Sequence, residues 1–173
     1  EIGCAGPIAG FIVALPTLVY GLSLSYVSPL LGIEGVNFGS SLILNICAEF
    51  VLGVDPQSSD LNINLHPIAF AGWIGMLVTA LNLIPIGQLD GGHIVFALSP
   101  KQHKWTGRLF FLALFPLGYF WTGWFFWAVM IVLVGFKTAP LLDDTEELGT
   151  LHRVLGLVSI SIFLVTFIPI PFS

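Results

Sequence analysis

The residues best placed to do chemistry lie between Asn82 and Gly92, in the stretch Asn-Leu-Ile-Pro-Ile-Gly-Gln-Leu-Asp-Gly-Gly. The stretch follows an apolar run, carries a single carboxylate, Asp90, and leads into a second apolar run from His93. An ionisable side chain at membrane depth is costly, which makes Asp90 a functional-site candidate from the outset. Pro85 and Gly87 interrupt a helix just before it. A helix broken at depth exposes backbone groups, and these are tolerated only inside protein or beside a water-filled cavity. Two local roles fit Asp90. It can ligate a metal, or it can cap a helix Gly91–Leu98 by accepting the first free amides. His93, three residues on, could ligate by spacing alone, but a hydrogen-bonded interfacial histidine is the plainer reading. His66, His103 and His152 fall at the ends of apolar runs and read as interfacial polar residues.

The elements that must hold this stretch are apolar throughout. Of the 173 residues 56% are hydrophobic and 9% charged, and the mean hydropathy is +0.97. Soluble domains carry about 25% charged residues, so the composition reads as an integral membrane protein lying in the lipid bilayer. A net charge of −5 offers no basic surface for nucleic acid. Two cysteines, Cys4 and Cys47, make no disulfide framework and read as small buried side chains.

Residues 5–27 carry no charge and form one expected span, with Pro16 inside it. Residues 28–65 change character, with Glu34, Glu49, Asp55 and Asp60 but no Lys or Arg. They read as a loop in which Ser40–Leu52 forms either a short interfacial helix, which would make the loop non-cytoplasmic, or an ordinary soluble turn of helix. His66–Leu83 is a second apolar helix, with Pro67 suited to a first helical turn. Lys101, Lys104 and Arg108, three of the five Lys and Arg residues, cluster with His103 after Ser99-Pro100 and read as a cytoplasmic loop. From Lys104 to Phe136 the chain is apolar and aromatic. As one helix, about 33 residues would run about 50 Å, too long for a hydrocarbon core of about 30 Å. Two helices turning near Trp121–Gly123 fit better than one long tilted helix. Residues 137–153 read as an acidic cytoplasmic loop, and Val154–Ile170 as a final span. The fold class expected is all-α: a polytopic transmembrane helix bundle with a broken helix around Asn82–Gly92.

Asn82, Pro85, Leu89, Asp90, Gly91 and Gly92, spaced as Asn-x-x-Pro-x-x-x-Leu-Asp-Gly-Gly, resemble the second signature of the site-2 protease family, the intramembrane zinc metalloproteases of peptidase family M50. Ala5-Gly6-Pro7 resembles the Ala-Gly-Pro that opens the family's next core helix after the catalytic one. The resemblance implies that Asp90 is a zinc ligand and that the Asn82 amide positions substrate. It implies a Zn2+ cofactor, a membrane-spanning protein substrate, and a bacterial inner membrane or plastid membrane as the location. It also divides the chain into residues 1–98, part of the conserved protease core, and 99–173, additional C-terminal transmembrane helices. The family's His-Glu-x-x-His is absent from these residues. A hydrolytic zinc site needs three protein ligands and a bound water, so the expectation is a fragment that carries the Asp half of the site. The rest is expected on a helix N-terminal to Glu1, packed against Ala5–Val27 and Asn82–Leu98. Two other functions fit the residues: an inactive homologue that binds membrane helices, and a transporter with an intramembrane Asp in a broken helix.

Overall fold

The computed structural model describes residues 2–29, 37–56, 61–134 and 149–172. Glu34, Asp60 and most of the expected acidic loop, including Lys137, Asp143, Asp144, Glu146 and Glu147, lie outside the described residues. In chain order the elements are α1 (Ile2–Ser23), β1 (Tyr26–Pro29), α2 (Leu42–Leu52), β2 (Leu61–Asn64), α3 (Pro67–Asn82), α4 (Asp90–Leu98), α5 (Pro100–Phe120), α6 (Gly123–Val134) and α7 (Thr150–Thr166).

The fold is mainly helical, consistent with the all-α class expected, with one short two-stranded pairing beside the helices. Strands β1 and β2 pair antiparallel, Tyr26 opposite Asn64 and Val27 opposite Ile63. Asn64 donates to Ser28 Oγ at 2.8 Å across the pair. The pairing satisfies backbone groups where the chain leaves α1 and re-enters α3. Next to it the His66 N–H donates to Ser25 Oγ at 2.9 Å.

Helix α1 is the spine, and small residues set how closely its neighbours approach. A Cβ placed on Gly21 would collide with the Ala69 backbone of α3. One on Gly72 would come within 2.5 Å of the Leu18 nitrogen, and one on Gly75 within 2.9 Å of the Ala14 Cβ. Gly10 faces Thr79 Oγ1 at 3.0 Å by the same measure. The pairs 21–69, 18–72, 14–75 and 10–79 descend α1 in steps of three and four, which is one face of a helix. The same face continues past the end of α3: Gly6 meets Asp90, and Gly3 meets His93, both on α4. Two separate helices thus share one track on α1, with the helix break bulging out between them.

Other elements keep or shift the expected bounds. Ser41 caps α2 by accepting from the Leu44 N–H at 3.2 Å. Pro67 does open α3, behind His66, whose ring nitrogen accepts from the Ile68 N–H at 3.3 Å. The expected Lys101–Arg108 loop is helical: it forms the first turns of α5, and only Ser99 separates α4 from α5. The aromatic run is two helices, α5 and α6, with the turn at Trp121–Thr122.

Among the described residues two apolar cores form. Leu18, Leu22, Ala48, Trp73, Met76 and Ile168 fill the first, among α1, α2 and α3. The second is built on the break: Leu83, Ile84, Ile86 and Ile94 pack with Leu114, Trp124, Ile131 and Phe163 of α5, α6 and α7. Trp73 and Trp124 are fully buried, and their indole N–H groups donate to the carbonyls of Gly39 at 2.8 Å and Pro169 at 2.7 Å. Cys47 is buried in the first core. Much of the exterior is apolar: Phe50 is 88% exposed, Leu133 74% and Leu151 66%, while Ser159 and Thr166 are fully buried. Among the described residues one helix, Gly3–Ser23, is by length and composition able to cross a membrane alone; Leu42–Leu52, Pro67–Asn82, Gly123–Leu133 and Thr150–Thr166 are apolar but shorter.

Candidate functional site

The break between α3 and α4 is built from backbone contacts. The Leu83 N–H still bonds to the Thr79 carbonyl at 3.1 Å, and the Ile84 N–H to Leu81 at 3.3 Å. The Ile86 N–H then turns back to the Ile84 carbonyl at 2.8 Å. Gly87 adopts a φ of 55°, which costs glycine little and other residues more. All of Leu83–Gly87 is buried, so the irregular backbone is enclosed by protein.

Gly91 and Gly92 make that enclosure possible. A Cβ on Gly91 would collide with the Leu83 carbonyl and stand 2.7 Å from the Ile84 oxygen. One on Gly92 would collide with the Gly87 carbonyl. The backbone that approaches the glycine pair is therefore the chain's own turn. This docking faces one side of α4 to the break and leaves Asp90 on the side toward α1.

Asp90 is not a helix cap. Leu89 occupies the N-cap position, no side chain caps this end, and Asp90 lies within the first turn. The His93 N–H bonds to the Leu89 carbonyl at 3.2 Å, so the helix has begun by then. A carboxylate in a first turn is still favoured by the helix dipole. Asp90 is half-buried, and its Oδ2 lies 3.5 Å from where a Gly6 Cβ would stand. His93, also half-buried, follows one turn later against Gly3. Ala5 and Gly6 are exposed, so the carboxylate sits at the edge of an uncovered strip of α1. The two stretches that carry the resemblance, Ala5-Gly6-Pro7 and Leu89–Gly92, meet here in space.

Asn82 ends α3 and is exposed, at the far end of the Leu83–Leu89 break from Asp90. His103 is not the interfacial residue expected. It is buried, meets Phe96 edge-on at 5.4 Å, and hydrogen-bonds to the backbone of Gly92. It thereby ties the start of α5 to the glycine pair beside Asp90. Burial lowers its pKa, while the bond to Gly92 works the other way and nearby His93 and Lys104 lower it further. The signal for this was faint: a histidine one turn before Gly107, a small residue at a helix contact. His152 is half-buried on α7.

Among the described residues there is no group of three His, Cys, Asp or Glu side chains able to hold a metal ion. These residues fit one ligand position of a zinc site at Asp90, with His93 one turn away, and do not complete the set.

The family model for peptidase family M50 matches residues 1–115. A probable zinc metalloprotease, EGY1, chloroplastic, of Arabidopsis thaliana is 28% identical over 98% of this chain and 32% of its own length. The Arabidopsis EGY2 protein, also a probable chloroplastic zinc metalloprotease, is 30% identical over 100% of this chain and 32% of its own. The DDT domain-containing protein PTM of Arabidopsis is 33% identical over 55% of this chain and 6% of its own length. The chain thus spans about a third of the two metalloproteases. No solved structure matches.

Proposed function

The chain belongs to peptidase family M50, and we propose that it is part of a membrane-embedded zinc metalloprotease in which Asp90 supplies one metal ligand. The carrying observation is the placement of Asp90: an uncapped, half-buried carboxylate at an enclosed helix break, against Gly6 of α1. Zinc held there would supply a water acidified to a pKa of about 7 and a polarised substrate carbonyl. The remaining ligands and the general base, on this reading, come from sequence outside these 173 residues, on a helix against the exposed Ala5–Gly6 edge. The substrate is a membrane-spanning protein, and Asn82, exposed near the break, positions its backbone. Residues 1–98 form the protease core and 99–173 add further spans.

The membrane reading rests on the distribution of side chains. Large apolar residues cover the exterior while Thr79, Ser159 and Thr166 are buried between helices, as small hydroxyl residues are in membrane bundles. Helices α3, α6 and α7 are short for a full crossing, and the proposal has them cross with the help of flanking turns. The names of the EGY relatives place those proteins in the chloroplast, which supports a plastid membrane here.

The test is made in the full-length protein. Asp90→Ala is expected to lose zinc and proteolysis while the protein stays inserted. Asp90→Asn, which keeps size and shape, is expected to fail equally; an active Asn variant would refute ligation. The PTM relative favours a second reading, since its name marks no protease yet a third of the aligned residues are identical. In that reading the same bundle binds membrane helices without cleaving them. An intact His-Glu-x-x-His on the full-length chain selects the first reading and its absence the second.

A further inference from the structure

One cleft lies apart from Asp90 and its edge. It has a volume of about 350 Å³ and is lined by His103, Lys104, Gly107 and Arg108 of α5. His103 and Gly107 are buried and form its floor, and Lys104 and Arg108 are exposed at its rim. Behind the floor lies the helix break, with the Pro85 carbonyl 3.5 Å from where a Gly107 Cβ would stand. From Gly91 to Val134 the sequence has no Asp or Glu, so no carboxylate on the later residues of α4, on α5 or on α6 neutralises the rim.

The surface of α5 changes along its axis. Lys101, Lys104 and Arg108 share one face, and beside them Trp105 is 72% exposed. Beyond them Leu109 and Leu112 are exposed. Cations and tryptophan followed by bare leucine is the profile of a helix entering a bilayer, where tryptophan sits at headgroup level. The cleft opens at that level.

We propose that this cleft holds the phosphate of one anionic lipid headgroup, gripped by Lys104 and Arg108 over the Gly107 floor. Basic pockets beside membrane helices bind such headgroups, and a cation that touches the anion in the pocket strengthens the attraction about fivefold. Arginine adds a planar pair of donors suited to a phosphate. The proposal rests on the membrane reading above.

The test reconstitutes the full chain into phosphatidylcholine nanodiscs with or without phosphatidylglycerol and measures the lipid retained by native mass spectrometry. Selective retention of phosphatidylglycerol is expected. Lys104→Gln with Arg108→Gln should weaken it roughly 25-fold, two cations at about fivefold each. Gly107→Leu, which fills the cleft and leaves the charge alone, should weaken it about tenfold or more; Arg108→Gln alone serves if the leucine variant misfolds. Lys101→Gln, on the same face but outside the cleft, should cost much less. Equal losses at Lys101 and Arg108 would reduce the effect to general surface charge and overturn the proposal. Displacement of the lipid by inorganic phosphate at comparable concentration would assign the cleft to a free anion and overturn the lipid assignment. A chain that stays in the nanodisc without lipid preference refutes the cleft alone, whereas one that never enters the bilayer refutes the membrane reading as well.

Discussion

Gly91→Ala is the sharpest test of how the break holds Asp90. The new methyl would collide with the Leu83 carbonyl and stand 2.7 Å from the Ile84 oxygen. Ordinary carbon contacts begin near 3.5 Å, so relieving the Ile84 contact alone needs a shift of about 0.8 Å. Both obstacles are backbone atoms inside a buried turn, which cannot swing aside as a side chain can. Overpacking of this kind costs about 1–3 kcal/mol. Alanine's better helix propensity, about 1 kcal/mol at most, offsets only part of it. The shift falls on the residue next to Asp90, and a misplacement of about 1 Å at a reacting centre can cost about 100-fold in rate. The expected result is a lowered thermal midpoint for the detergent-solubilised chain and, in the full-length protein, a larger loss of cleavage than of stability. Gly107→Ala is the matched control, since its Cβ would meet the Pro85 oxygen at 3.5 Å, an ordinary contact. If both variants melt and cleave like the unaltered protein, the glycine pair does not set the position of Asp90.

Other substitutions probe the rest of the bundle. Gly72→Ala brings a methyl within 2.5 Å of the Leu18 nitrogen and should destabilise by about 1–3 kcal/mol; an unchanged unfolding midpoint would contradict the α1–α3 packing. Cysteines placed singly at Ser99 and at Asn62, in a background without Cys4 and Cys47, should be labelled from opposite sides of the membrane, and labelling from one side would refute the topology. His103 is buried with a lowered pKa, so its unfolded form gains a proton before its folded form does. Its contribution to stability is present above about pH 6.5 and fades as pH falls below that value. Part of the acid destabilisation should vanish in His103→Gln, and an identical pH profile in that variant would remove His103 from the account.

What could be read in the sequence was local. Pro67 marked the start of α3, Pro85 and Gly87 marked the break, and the length of the aromatic run called for the turn at Trp121. Such signals act within a few residues of themselves. The missed features depend on partners far along the chain. Strand β1 forms because residues 61–64 come back to it. Trp73 and Trp124 are buried because carbonyls 34 and 45 residues away accept their N–H groups. At the site, Asp90 stood out by its charge, by the break before it and by the Leu-Asp-Gly-Gly spacing. Its exclusion from the capping position did not, because that follows from where the folded helix begins, with Leu89 at its N-cap. His103 looked like an interfacial residue for the same reason: only the fold brings it to Gly92.

The shared track on α1 has a mechanical consequence. The chain that carries Asp90 leaves α3 and loops through the break, yet it returns to the same rail. The carboxylate is therefore located less by its own loop than by the seating of α1. From Gly21 to Gly6 is about 22 Å of helix at 1.5 Å per residue, with Pro7 and Pro16 inside it. A side chain on Gly21 must widen the contact at Ala69, and the strain enters the same row of contacts that ends at Gly6 and Asp90. A substitution remote from every polar group in the candidate site can thus act on it as directly as one beside it.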